Sequence, residues 1–166
     1  FEAMRTMLVF DALIVNQDRH ANNHGFLRDN HTGRILGPAP LFDHNMSLFK
    51  NDMRADWERG AWTPKVLEER QPSNSRMTFR DQCAAIMGVA QHEMLRKALD
   101  VTLENDPTYP LEDGRIEALN GYLHAAARTL LDIPVVDEAK LASQLDALQP
   151  AIQSAPVMLN DRLLEK

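Results

Sequence analysis

Apolar positions along the chain follow a helical rhythm at both ends and a shorter rhythm in between. Residues 1–15, FEAMRTMLVFDALIV, place Met4, Met7, Leu8, Asp11 or Ala12, and Val15 at helical spacing, which predicts an amphipathic helix already under way at Phe1. Gly25 to Asp43 reads as short strands and turns: GFL, then RDNHTGR, then ILGPAPLFD. The Asn30 to Gly33 cluster signals a turn, and Pro38 and Pro40 exclude helix there. Lys50 to Arg76 is polar and without period, and Trp57 and Trp62 read as local anchors of a long loop. From Met77 the helical period returns. MTFRDQCAAIMGVAQHEMLRKALDVTLEN predicts two helices broken near Gly88, and RIEALNGYLHAAARTLLDI a further one stopped before Pro134. DEAKLASQLDALQ starts at Asp137 as N-cap and ends before Pro150, and a last helix is expected near VMLNDRLLEK. The predicted fold is mostly α with a small β-hairpin region inserted after the first helix.

Composition narrows the classes. At 166 residues the chain can bury one sizeable core, and its 44% hydrophobic and 25% charged residues are those of a globular domain. No run of about 20 apolar residues is present, so no membrane span is expected. A net charge of -6 argues against direct nucleic-acid binding, which needs clustered Lys and Arg. Cys83 is the single cysteine, which excludes an internal disulfide and fits a reducing, cytoplasmic setting. Its apolar helical context, DQCAAIMG, predicts a buried inert thiol. Opening inside a helix, with no initiator Met and no leader pattern, the chain reads as a piece of a larger protein.

The chemistry concentrates in IVNQDRHANNHGFL, residues 14–27, between the first helix and the hairpin. Asp18 and Asn23 form D-x-x-x-x-N, and Asp43 comes later in PLFDHNMSL. Phosphoryl transfer from ATP uses such a set: a carboxylate for the attacking hydroxyl's proton, and an amide and a second carboxylate for Mg²⁺. Both ligand types offer the hard oxygens that Mg²⁺ prefers. Asp43 is expected at a strand end, projecting toward the metal. The spacing of Asp18 and Asn23 alone is weak, since both residue types abound in loops; the later LFD makes the combination more specific.

NQDRHANNHGFL followed by LFDHNMSL resembles the catalytic loop and metal-binding segment of HipA-like serine/threonine kinases, which show D-x-H-x-x-N and then a Phe-x-Asp or Phe-Asp motif near Ser-Leu. The D-R-H wording also resembles phosphatidylinositol kinases. The resemblance covers roughly Leu13 to Leu48 and implies the C-terminal lobe of a protein-kinase-like fold over residues 1–166. Within it, 1–49 would hold the catalytic loop and metal-binding segment, 50–76 an activation- or substrate-type loop, and 77–166 a helical subdomain. It implies Asp18 as catalytic base, His20 as support of the catalytic loop, Asn23 and Asp43 as Mg²⁺ ligands, and ATP as co-substrate. The acceptor would be a protein Ser or Thr, and an antitoxin-like partner is implied, as in toxin–antitoxin pairs. The family's phosphate-binding loop and ATP-binding lysine belong to an N-terminal lobe, which this chain does not include. The chain alone is therefore expected to be inactive.

Plainer readings stand beside these. Asp18 could cap a turn, His20 could bond loop backbone, and Arg19 could be a solvated or ion-paired side chain. Asn22, His24, His31 and His44 have surface or turn explanations, and Ser47 a structural one. Two other functions are carried: a phosphatidylinositol-type lipid kinase, disfavoured by the lack of a basic cluster after LFD, and a non-catalytic kinase-like interaction domain. A zinc hydrolase built on His20 and His24 lacks the glutamate of H-E-x-x-H and a third ligand.

Overall fold

The computed structural model describes residues 1–73, 75–139, 141–143 and 146. They fall in two units, Phe1–Val135 and Val136–Lys166. In the first, α1 (Glu2–Leu13) leads through a 3₁₀ turn (Ala21–Asn23) to strands β1 (Phe26–Arg28) and β2 (Ile35–Pro38). Helices α2 (Arg54–Glu58), α3 (Val66–Glu69), α4 (Phe79–Ile86), α5 (Val89–Ala98) and α6 (Arg115–Leu131) come after them. The described chain is thus mostly helical with one small antiparallel sheet, as the apolar pattern predicts.

The second half of α1 is buried nearly all round, with Val9, Asp11, Ala12 and Leu13 all inaccessible, because α4, α5 and α6 each pack against it. Met7, Asp11, Ala12 and Val15 of the predicted apolar face are buried, whereas Met4 and Leu8 are half-buried. The predicted break at Gly88 is observed. Gly88 is the N-cap of α5, and a Cβ there would collide with the guanidinium of Arg5 and the amide oxygen of Gln91. Thr78 caps α4 by accepting a hydrogen bond from the Asp81 amide at 3.1 Å. In the second unit Asp137 accepts from the Ala139 amide at 2.9 Å; the helix expected near VMLNDRLLEK lies outside the described residues.

Residues 50–76 correct the reading of a long irregular loop. They contain α2 and α3, and Trp57 and Trp62 belong to the main core rather than to a local anchor. Phe49 stacks on Trp62 (centroids 4.6 Å apart, 11° between planes) and meets Tyr122 of α6 edge-on, while Trp62 also touches Trp57 at 5.3 Å. Arg115 lays its guanidinium over Trp57 at 5.0 Å, and Arg70 over Phe49 at 5.2 Å. Polarity of the flanking residues hides this segment, since each turn carries one large apolar anchor among charged neighbours.

The hairpin pairs Phe26 with Pro38, Leu27 with Gly37 and Arg28 with Ile35, with an irregularity between Leu27 and Arg28. Its turn is built by Asp29, whose carboxylate accepts from the amides of His31 (3.0 Å) and Thr32 (2.7 Å), and by Gly33 at φ +73. Phe26, Leu27, Ile35 and Leu36 are all exposed.

Cys83 lies on the buried side of α4, and burial alone pushes its thiol from an ordinary 9.0 up to about 12. Native protein at pH 8 should therefore resist labelling by a disulfide reagent and react fully once unfolded. Because the folded pKa is raised, the stability contributed by the neutral thiol is complete below about 9 and is lost as pH rises toward 12. Rapid native labelling at pH 8 would contradict the buried placement.

Candidate functional site

The loop after α1 begins with an abrupt stop. The Asn16 amide donates to the Asp11 carbonyl at 2.8 Å and the Val15 amide to that of Ala12 at 3.2 Å, the paired bonds of a Schellman ending. Val15 occupies the left-handed position at φ +52, where helices usually place glycine. A β-branched residue there costs roughly 1–2 kcal/mol, offset by the near-complete burial of its side chain. Asp43, Leu48 and Phe49 are the other non-glycine residues at positive φ among the described residues. All four flank the candidate chemistry, and the Leu48 amide joins the two strained segments by donating to the Ile14 carbonyl at 2.8 Å.

Arg19 organises the loop beyond this ending. It is fully buried, and all five of its N–H groups are used. Nε and Nη2 donate to the two carboxylate oxygens of Asp11, at 2.8 and 2.9 Å. Nη1 donates to the carbonyls of Asn23 (2.6 Å) and Phe42 (2.9 Å). Nη2 also reaches His44 Nδ1 at 3.0 Å. An arginine has no lone pair to offer, so His44 Nδ1 is the acceptor and the ring proton sits on Nε2. Asn16 completes the cluster, donating from Nδ2 to Asp11 Oδ1 at 2.9 Å and accepting the Asp18 amide at 3.3 Å.

This network brings the backbone of Asn23 and the segment around Asp43 to one guanidinium. One guanidinium nitrogen holds the carbonyl of Asn23 itself and that of the residue before Asp43, while another holds the residue after it. Asn23 is 3% exposed and donates from Nδ2 to the Asp18 carbonyl at 3.0 Å. That bond fixes the amide orientation and leaves Oδ1 as the available end. Asp18 is half-buried and Asp43 exposed. Asp43 does not end a strand: β2 stops at Pro38, because prolines at 38 and 40 remove the ladder donors. Arg19, not a strand, fixes the backbone around Asp43.

His20 is exposed and caps the 3₁₀ turn, its Nδ1 accepting from the Asn22 amide at 3.2 Å. His24 donates from Nδ1 to the His20 carbonyl at 3.2 Å. The two histidines thus flank a tight turn on extended backbone instead of sharing a helix face. Among the described residues no three His, Cys, Asp or Glu side chains gather to hold a metal ion, so nothing supplies the zinc-hydrolase reading with its missing ligand. The chain returns from the α3 region to cover the loop: the Ser73 amide donates to the Gln17 carbonyl at 2.8 Å and its hydroxyl to that of Arg19 at 3.1 Å.

Residue type and spacing assign no role at the site to Asp11 or Asn16, and give Arg19 only a generic ion pair. The available signal is an aspartate inside an otherwise apolar helix turn, which requires a buried partner. Comparisons with protein families, with curated proteins and with solved structures find no significant match to this chain.

Proposed function

We propose that the chain carries the catalytic and metal-binding segment of a HipA-like, ATP-dependent serine/threonine kinase, folded as the C-terminal lobe of a kinase-like protein. The observation that carries this reading is the double grip of Arg19 on the carbonyls of Asn23 and Phe42, which gathers a D-x-x-x-x-N loop and an LFD segment around one point. Strained backbone at Asp43 supports it, since such conformations persist where the surroundings enforce them.

Asp18 is the group that receives the proton of the attacking Ser or Thr hydroxyl. That oxygen bonds to the γ-phosphorus, the bond to the β,γ-bridging oxygen breaks, and ADP departs. Asn23 Oδ1 and the Asp43 carboxylate fit Mg²⁺, being hard oxygen donors of which one is held in place by the Asp18 carbonyl. When bound, Mg²⁺ supplies positive charge against the phosphate oxygens. His20 shapes the loop by capping its turn. The 7 glycines form no G-x-G-x-x-G or Walker loop, so the phosphates must be cradled by another polypeptide segment. The exposed apolar residues of the hairpin offer that segment, or an antitoxin-like partner, a surface beside the site.

Calorimetric titration of the 166-residue chain with Mg²⁺ should show no tight site, because two oxygen ligands without a triphosphate serve poorly a cation that dehydrates reluctantly. Supplied with a phosphate-holding lobe, the wild type should bind Mg·ATP more tightly than Asp43→Asn, and the difference should vanish in EDTA. Tight Mg²⁺ binding by the chain alone, or an Asp43→Asn loss that persists without metal, would overturn the ligand assignment.

A further inference from the structure

A cavity of about 340 Å³ lies beside the candidate site and has no part in the proposed chemistry. Its walls include Leu13 at the end of α1, the segment His44, Ser47 and Leu48, Ala98 at the end of α5, and Leu123 of α6. The volume is in the lower part of the range of small-molecule sites, roughly 300–1,000 Å³. No Lys, Arg, Asp or Glu lines it, so an ionic guest would lose its hydration without a counter-charge.

Two polar groups break the carbon lining. The Arg19 bond consumes the lone pair of His44 Nδ1 and places the ring proton on Nε2, which can donate. Ser47 is 7% exposed, and its hydroxyl has no hydrogen-bond partner among the described residues. A buried hydroxyl left unpaired is costly, and such groups in folded proteins regularly await a water or a ligand. An apolar chamber with one donor edge selects for an apolar body that bears one accepting oxygen.

We propose that this cavity binds a small uncharged molecule with a one- or two-ring apolar body and a single carbonyl- or ether-type oxygen, oriented by His44 and Ser47. The site needs neither ATP nor Asp18, so it stands apart from the kinase reading. It nevertheless touches that chemistry, because His44 is the residue after Asp43 and is held by the same Arg19.

The probe is 2-acetylnaphthalene, titrated into the full chain and followed through leucine methyl resonances. Saturable shifts are expected at Leu13, Leu48 and Leu123. 2-Ethylnaphthalene, which keeps the shape without the acceptor, should bind roughly fivefold more weakly, the loss of about one net hydrogen bond. 2-Naphthoate should not bind. Ala98→Phe fills the chamber from the end of α5 and should abolish the shifts; Ala98→Leu, a smaller intrusion, should weaken binding if the larger variant does not fold. Ser47→Ala should narrow the preference for the ketone over the ethyl compound. Absence of saturable shifts in the wild type, equal affinity for ketone and ethyl compounds, or binding unchanged in Ala98→Leu would each overturn the proposal.

Discussion

Asp11→Ala should cost about 3–5 kcal/mol of stability, the range for breaking a buried ion pair by removing one partner. Both oxygens of Asp11 are used, by Arg19 Nε and Nη2 and by the Asn16 amide, and the two ionic side chains are 0% and 2% exposed. Removing the carboxylate leaves a guanidinium in the interior with its charge uncompensated and two N–H groups without acceptors. The cost is set by that desolvated charge, not by the strength of the bonds lost. Urea denaturation followed by the fluorescence of Trp57 and Trp62, both buried, reads it directly. The double variant Asp11→Ala with Arg19→Met should recover only part of the loss, because it removes the orphaned charge but leaves the Asn23 and Phe42 carbonyls without their donor. A single-variant loss under about 1 kcal/mol would mean that water reaches the pair, and that Arg19 does not hold the loop as described.

Asp18→Asn, in the protein equipped with a phosphate-holding lobe, should lower the rate of phosphoryl transfer by about 10²–10⁴-fold, the usual contribution of a positioned general base. The substitution keeps size and shape and removes the charged carboxylate that takes the hydroxyl proton in the proposed reaction. Nucleotide affinity should stay near wild type, because the backbone carbonyl that orients Asn23 is untouched. The 166-residue chain by itself should show no transfer to a generic acceptor or to itself with radiolabelled ATP. Positioning and charge stabilisation supply most of the catalysis in this reaction class, and the sequence carries no G-x-G-x-x-G or Walker motif to position the phosphates. Clear Asp18-dependent transfer by the chain alone would mean that residues of the hairpin or of the 50–76 segment cradle phosphate. A rate for Asp18→Asn within about tenfold of wild type would remove Asp18 from the reaction.

The parts of this fold that sequence reasoning reaches are those governed by local chemistry. Gly88 between two helical periods, Pro134 after α6, and the Asn30 to Gly33 turn each act through their own backbone preferences, and each sits where expected. The apolar period of α1 also suffices to find the helix. It does not foretell that a second face is buried, because that depends on α4, α5 and α6 arriving from far along the chain. Trp57 and Trp62 fail the same way: their own neighbourhood does not announce that Phe49 and Tyr122 will join them in one aromatic cluster. At the site, residue types and spacing single out Asp18, Asn23 and Asp43, but not Arg19, which ties the Asn23 backbone to the segment flanking Asp43. Arg19 looks like any loop arginine until Asp11 is seen to face it from the preceding helix, where the carboxylate passes for one position of an apolar stripe. The apolar pair before Asp43 suggests a strand end; Pro38 and Pro40 end the ladder earlier, and the ion pair takes over its placement.

The Schellman ending of α1 has a consequence for how this protein can vary in length. Val15 is committed to a left-handed turn by bonds on both sides, and within a short span the chain must present Asn16 to Asp11, Arg19 to the same carboxylate, and Asn23 to the Asp18 carbonyl. An inserted or deleted residue from Val15 to Arg19 would put the arginine out of register with Asp11, and one from His20 to Asn23 would shift the Asn23 carbonyl from its donor. The hairpin turn is the opposite case: its bonds are confined to Asp29, Thr32, Gly33 and their neighbours at an exposed tip, where added residues disturb nothing beyond the tip. Tags or affinity loops should therefore be tolerated better at residues 30–32 than a few residues earlier, although both stretches are loops of similar polarity.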